Sequence, residues 1–291
     1  MIAIVPGEYG EGGYPPIPGT NISLSAYPLS VAEFWDRLTE AQAAPPGWVI
    51  AVSAAVALLV VTSPRVWRRT RIAITIAHEG GHAAVSLLSG RKLEGIRLHA
   101  DTSGETVSRG RRKGPGIVLT ALAGYLTPPL LGAGAAALLG DGRVTLLLAL
   151  LLVLLAATLL MIRNWYGLLA MLITGGAVVA VIVLADPALR AAFGYATAWF
   201  LLFGGVRPVF ELARSRRGQP RRQPAPLPPG YRPPPGRLAG GRPNAGNSDA
   251  DQLRWLTGVP AGVWVTLFAL VALGALVLGA RLLVPWPVQL H

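Results

Sequence analysis

The chain carries a series of apolar segments, each close to the length of a membrane-spanning helix. About 20 helical residues cross the roughly 30 Å of hydrocarbon in a bilayer, whose interior admits only helices and closed barrels. Of the 291 residues only 14% are charged, against about 25% in soluble domains. The sequence therefore predicts an all-α, multi-pass protein of the plasma membrane.

Seven apolar segments predict six or seven transmembrane helices. They cover residues 48–62, 72–88, 117–139, 144–162, 165–185, 191–206 and 258–280. The first is short for a span, the third is broken by Pro128 and Pro129, and the helix that begins at 191 is expected to continue to about Ala213.

The segments divide the chain into four regions. Residues 1–47 form a flexible N-terminal segment, 48–213 a membrane core, 214–257 a basic Pro/Gly-rich loop and 258–291 a C-terminal transmembrane helix. The centre of the loop, 219–246, has a composition typical of disorder. Ser30 followed by Glu33 predicts a capped surface helix over 30–42.

Basic residues concentrate in the loops 90–114 and 214–257, which the positive-inside rule assigns to the cytosol. The N-terminal side is ambiguous. Acidic residues in 1–47 favour the outside, and arginines in 64–71 favour the inside, which makes 72–88 a re-entrant or partly sunk helix. If 72–88 crosses fully, the loop 64–71 lies outside instead.

The net charge of +12 is best explained by membrane topology and contact with anionic lipid, because the basic residues flank apolar segments. No nucleic-acid-binding motif is present, so a nucleic-acid partner is not expected. Cysteine is absent, which excludes disulfides and thiolate ligands and leaves His, Asp, Glu or water to hold a metal.

The sequence HEGGH at 78–82 lies in the second apolar segment. His78 and His82 are four apart on one helical face, where both imidazoles can bind one Zn²⁺, and Glu79 can act as a general base toward water. The alternative is a pair of core histidines beside a buried glutamate. An apolar helix seldom carries such residues without a function, which favours the metal site.

A β-hairpin is predicted over 92–109, with its turn near Thr102, Ser103 and Gly104. A free strand edge beside the candidate metal site could hold an extended peptide by strand addition. A plain surface hairpin is the equal alternative.

The chain resembles the intramembrane site-2-type metalloproteases of peptidase family M50. It is most similar to an M50B-like branch that is found in actinobacteria and has relatives in plants. The stretches that carry the resemblance are IAHEGGHA at 76–83, LHADTSG at 98–104, TALAGY at 120–125, RNW at 163–165 and NSDA at 247–250. The resemblance implies an actinobacterial source, a zinc enzyme that cuts transmembrane or membrane-proximal segments, and a site near the cytosolic face. It also implies a HExxH helix that crosses the bilayer, hence seven spans.

The family's Leu-Asp-Gly motif, which supplies a third ligand, is missing. Asp249 in the NSDA stretch is favoured by the resemblance, and Glu211 at the end of a span is the alternative. Each has a structural explanation: a capping box of Ser248 and Asp251 around Asp249, and for Glu211 an ion pair with Arg207 or Arg214.

Asn164, in the turn between two spans, could orient water or an oxyanion, although a helix cap is the more ordinary role. The expected function is zinc-dependent hydrolysis of membrane-protein substrates. Two other functions stay open: an inactive scaffold or sensor of the same fold, and a transporter of metal ions or protons through His78, Glu79 and His82. The sequence does not indicate the substrate or the oligomeric state.

Overall fold

A computed structural model describes residues 30–217 and 248–284. The described elements are α1 (Val31–Thr39), α2 (Gly47–Thr62), α3 (Pro64–Leu88), β1 (Lys92–Leu98), β2 (Gly104–Arg109), α4 (Pro115–Gly140), α5 (Val144–Leu159), α6 (Trp165–Leu184), α7 (Pro187–Arg217), α8 (Asp249–Thr257) and α9 (Ala261–Leu283). The predicted helical, multi-pass fold with one small hairpin is confirmed. The predicted disordered centre, 219–246, lies outside the described residues, as do 1–29 of the N-terminal segment.

Four described helices, α4, α6, α7 and α9, are long and apolar enough to cross a membrane. Helices α2 and α3 are long and apolar enough only when they are taken together, and the chain bends by 102° between them. Helix α5 is apolar but has only 16 residues. The count of six or seven crossings therefore stays a prediction.

Helix α4 runs unbroken through Pro128 and Pro129, so the expected interruption of this segment is wrong. Both prolines are buried, and Gly205 lets α7 approach so closely that a Cβ there would lie 2.7 Å from Pro129 Cδ. Neighbouring helices that enclose a proline allow it within a membrane helix. Gly132 meets Leu202 in the same interface, so α4 and α7 are antiparallel. We call the end that holds the start of α4 and the end of α7 the site end.

The turn between α4 and α5 marks the opposite end of the bundle. Gln42, just before α2, donates its backbone N–H to Gly142 O at 2.9 Å. Gly140 approaches Leu282 at the end of α9. Helix α2 therefore starts at this end, and it finishes at the site end, where Arg207 of α7 bonds Val61 O.

Helix α3 starts and ends at the site end. Trp67 Nε1 donates to Glu211 Oε1 near the end of α7 at 3.1 Å, and Ser89 lies against Gly116 at the start of α4. That the HExxH helix crosses the bilayer stays a prediction. The partly sunk helix that the arginines in 64–71 favoured also stays a prediction, because the 102° bend between α2 and α3 fits either a broken span or a re-entrant loop.

The hairpin also lies at the site end. Strand β1 pairs with β2 in antiparallel register, Ile96 opposite Thr106 and Leu98 opposite Gly104. On its other side β1 bonds the turn between α5 and α6, through Ile96 N to Met161 O at 2.8 Å. Strand β2 has no second neighbour among the described residues, so one edge of the sheet is free.

Candidate metal centre

The HEGGH residues occupy the middle of α3, and the start of α8 lies against them. His78 Nε2 and His82 Nε2 are 3.1 Å apart. Asp249 Oδ2 lies 3.2 Å from the first and 3.3 Å from the second. These three atoms form the one cluster of His and acidic ligand atoms that the described ranges bring together.

The spacing fits a zinc ion. With ligand distances of about 2.0–2.1 Å, neighbouring ligands of a tetrahedral zinc lie about 3.3 Å apart. Asp249 Oδ2 is buried and has no hydrogen-bond donor among the described residues. A buried carboxylate oxygen facing two ring nitrogens is costly unless a cation joins them.

The ring of His82 is fixed by a carbonyl on α4. His82 Nδ1 lies 2.6 Å from Thr120 O. A carbonyl only accepts, so Nδ1 carries the hydrogen and Nε2 of the neutral ring presents its lone pair to the cluster. Tyr125 of α4 packs edge-on against His78, with ring centroids 4.9 Å apart.

Gly124 leaves the space that a metal would fill. A Cβ built at this position would lie 2.3 Å from His82 Nε2 and 2.5 Å from His78 Nε2. These distances are close to zinc–nitrogen bond lengths, so even a methyl group would occupy the centre of the cluster. Gly81 has a different role: it lets α3 pack against Thr127 of α4.

Asp249 is aimed by the cap of its own helix. Ser248 and Asp251 form the capping box of α8, which leaves the Asp249 side chain free to point at α3. Arg216 at the end of α7 holds this cap, donating to Asp251 Oδ1 at 2.6 Å and to Oδ2 at 2.9 Å. Burial raises the pKa of Asp249, but His82 and His78 in their protonated, donating form outweigh it and hold that pKa well below its ordinary value.

Glu79 is buried, 5% exposed, and lies under β2. Thr106 Oγ1 donates to Glu79 Oε2 at 2.6 Å and also lies 3.1 Å from the Glu79 carbonyl oxygen. A Cβ on Gly104 would lie 2.8 Å from Glu79 Oε1. The absence of a side chain at Gly104 thus keeps that oxygen open toward the cavity of about 630 Å³ lined by the cluster and by β2.

The family model for "Peptidase M50B-like" matches residues 51–279, which contain every residue of this cluster. The chain belongs to that family. No curated protein and no solved structure matches the chain. Family membership makes this M50B-like chain a multi-pass membrane protein of a metallopeptidase family, and it implies a bound metal.

Two other predicted site residues of the M50B-like chain lie elsewhere. Glu211 accepts from Arg207 Nε at 2.8 Å and from Trp67 Nε1, which is the ion pair that its helical spacing predicted. Asn164 immediately precedes α6, and its side chain makes no capping hydrogen bond to that helix. Its side-chain amide instead makes two hydrogen bonds with the backbone of Leu98. Nδ2 donates to Leu98 O at 2.6 Å, and Oδ1 accepts from Leu98 N at 3.1 Å. Asn164 thus continues the hydrogen-bond pattern of β1. It is not among the described residues that line the cavity.

Sequence reasoning missed three residues that shape the site: Thr106, Gly124 and Arg216. Gly124 lies in a family-like stretch, but nothing in the sequence says that it faces the histidines. Thr106 is 27 residues from Glu79, and Arg216 is 35 residues from Asp251. No periodic pattern connects residues so far apart.

Proposed function

We propose that the chain is an intramembrane zinc metalloprotease that hydrolyses peptide bonds in or near transmembrane segments of other membrane proteins. The observation that carries the proposal is the convergence of three ligand atoms, from His78, His82 and Asp249, beside the buried carboxylate of Glu79. Membership of a peptidase family supports hydrolysis. The apolar helices around the cluster support a substrate that is itself in the membrane.

The three ligand side chains suit zinc, which when bound would supply a Lewis acid for the substrate carbonyl and acidify the attacking water. Glu79 takes the proton from that water and returns it to the leaving amine nitrogen. Thr106 holds Oε2 of the carboxylate and so leaves Oε1 for the water. The hydrogen bond from His82 to Thr120 O keeps Nε2 directed at the centre.

The free edge of β2 supports binding of substrate as an added strand. Ile96 directs its N–H and C=O away from β2, toward Met161 and Arg163. In an antiparallel pair the opposite residue also points outward, so the N–H and C=O of Thr106 face the free edge. An extended substrate paired there would lie next to Glu79, and a transmembrane segment must unwind to pair because helical carbonyls are already bonded.

The proposal is tested with Glu79→Gln in proteoliposomes that contain a fluorescent transmembrane peptide. Because a base contributes about 10²–10⁴-fold to such reactions, cleavage should fall by at least 100-fold while zinc content stays unchanged. Glu40→Gln, which changes an exposed carboxylate outside the cavity lining, is the matched control and should cleave normally. Equal cleavage by wild type and Glu79→Gln would contradict the mechanism.

The same preparation distinguishes the two other functions. A scaffold or sensor predicts that the wild-type chain binds zinc without cleaving any peptide of a broad transmembrane panel. A transporter predicts zinc or proton flux into the vesicles that depends on Glu79. A protease predicts zinc that stays bound and no flux.

A further inference from the structure

The corner between α2 and α3 forms a second cavity, which is open to the surface and shares no lining residue with the cavity of the histidine cluster. Its volume is about 570 Å³. Four arginines line it, Arg65, Arg68, Arg71 and Arg207, together with Trp67 and Glu211. We call it the corner cavity.

The corner cavity carries an excess of positive charge. Glu211 is its one lining acid, and it accepts from Arg207 Nε at 2.8 Å while Arg71 stays 3.8 Å away. Arg65 and Arg68 are exposed and have no acidic partner within 4.0 Å among the described residues. Four guanidinium groups thus face one carboxylate, which leaves an excess of three positive charges.

We propose that the corner cavity binds the phosphoryl headgroup of an anionic phospholipid. Guanidinium groups match phosphate oxygens with paired hydrogen bonds, and successive arginines three apart lie along one side of a helix. Arg65, Arg68 and Arg71 have this spacing. Trp67, 2% exposed, closes the floor of the cavity, with Arg207 4.8 Å above its ring.

The surroundings of the cavity favour a lipid over free phosphate as the source of the phosphoryl group. Leu59 at the end of α2 is 67% exposed and Val66 at the start of α3 is 40% exposed. Helix α2 is apolar up to Thr62, and the arginines begin only three residues later. The corner therefore has an apolar surface for acyl chains directly beside cations for a headgroup.

A headgroup in the corner cavity would anchor the start of the helix that carries the histidines. Arg71 precedes His78 by two helical turns. The proposal does not depend on protease activity, so its test uses lipid binding as the readout.

The experiment titrates the full chain, purified in a neutral detergent, with phosphatidylglycerol or phosphatidylcholine and counts bound lipid by native mass spectrometry. The double variant Arg65→Gln/Arg68→Gln should bind phosphatidylglycerol roughly 10- to 30-fold more weakly, since each basic residue near a headgroup contributes about 1 kcal/mol. The control Arg111→Gln/Arg112→Gln removes the same charge from an exposed loop and should bind like wild type. Phosphatidylcholine should bind weakly to all three.

Equal phosphatidylglycerol binding by all three proteins, or equal loss in both double variants, would overturn the proposal. A second arm titrates inorganic phosphate alone. Phosphate binding that requires Arg65 and Arg68, together with unchanged lipid binding, would assign the cavity to free phosphate and overturn the lipid source. Unchanged zinc content and helical circular dichroism establish that the variants fold.

Discussion

Helix α3 meets two carboxylates from distant parts of the chain, and their surroundings differ. Glu211, near the start of α3, accepts hydrogen bonds from Arg207 and from the Trp67 indole, and Arg71 lies 3.8 Å away. Asp249, at the middle of α3, faces two imidazole nitrogens and has no donor to Oδ2 among the described residues. A carboxylate with donors is already satisfied, whereas a cation bound between a carboxylate and two ring lone pairs would stabilise all three groups.

The two surroundings also differ in what fills the space between the side chains. At the Glu211 end, the Arg207 guanidinium lies over the Trp67 ring and bonds the carboxylate. Beside Asp249, Gly124 leaves a space about the size of one atom next to the two imidazoles. We therefore expect added side-chain volume to disrupt the cluster around Asp249. Loss of a charge should disrupt the cluster around Glu211.

The largest expected effect comes from Gly124→Ala. The new methyl group would lie 2.3–2.6 Å from atoms of both imidazoles, so bound zinc should fall from about one per chain to near zero. Gly134→Ala is the matched control, because it lies on the same helix with nothing within 4 Å of its Cβ. Elemental analysis after gel filtration measures the zinc. Full zinc in Gly124→Ala would show that Gly124 does not keep the metal position open.

Next in size is Arg216→Gln, which loosens the cap that aims Asp249. Outer residues that orient a metal ligand typically contribute about 10–100-fold to metal affinity, and a loss of about 10-fold is expected in a competition titration with a zinc chelator. Arg214→Gln, a neighbouring exposed arginine, should leave zinc affinity unchanged. Equal affinities in the two variants would show that the cap does not position Asp249.

The fold was predictable where it depends on segment length and composition. The apolar segments, the capped surface helix and the hairpin follow from local pattern, and Ser30 and Glu33 make the expected cap bonds. The path of α3 was not predictable, because charge gave two consistent topologies. The contacts that place the two ends of α3, of Trp67 with Glu211 and of Ser89 with Gly116, both join residues far apart in sequence.

The candidate site was likewise predictable only where its residues are close together in the sequence. His78, Glu79 and His82 share one helix, so their spacing alone predicts that they act together. The preference for Asp249 came from resemblance, and the capping box that argued against it is present and compatible with it. Thr106 and Gly124 belong to other elements, and only the packing of those elements against α3 brings them to the site.

The smallest expected effect is that of Thr106→Val, which removes the hydrogen bond to Glu79 Oε2. The zinc content should stay at the wild-type value, because Thr106 makes no contact with the three ligand atoms. Peptide cleavage should slow about 10-fold in kcat, a part of what a general base contributes. Thr106→Ser, which keeps the hydroxyl, should restore most of the rate. A Val variant as fast as wild type would contradict the role of Thr106.

We propose that Asp249, and not Glu211, completes the metal site with His78 and His82. It is tested most directly by the zinc content of Asp249→Asn beside Glu211→Gln, each purified as the full chain and dialysed against a weak chelator. We expect about one zinc per chain in wild type and in Glu211→Gln, and almost none in Asp249→Asn. Full zinc in Asp249→Asn, or loss of zinc in Glu211→Gln with the fold intact, would contradict it.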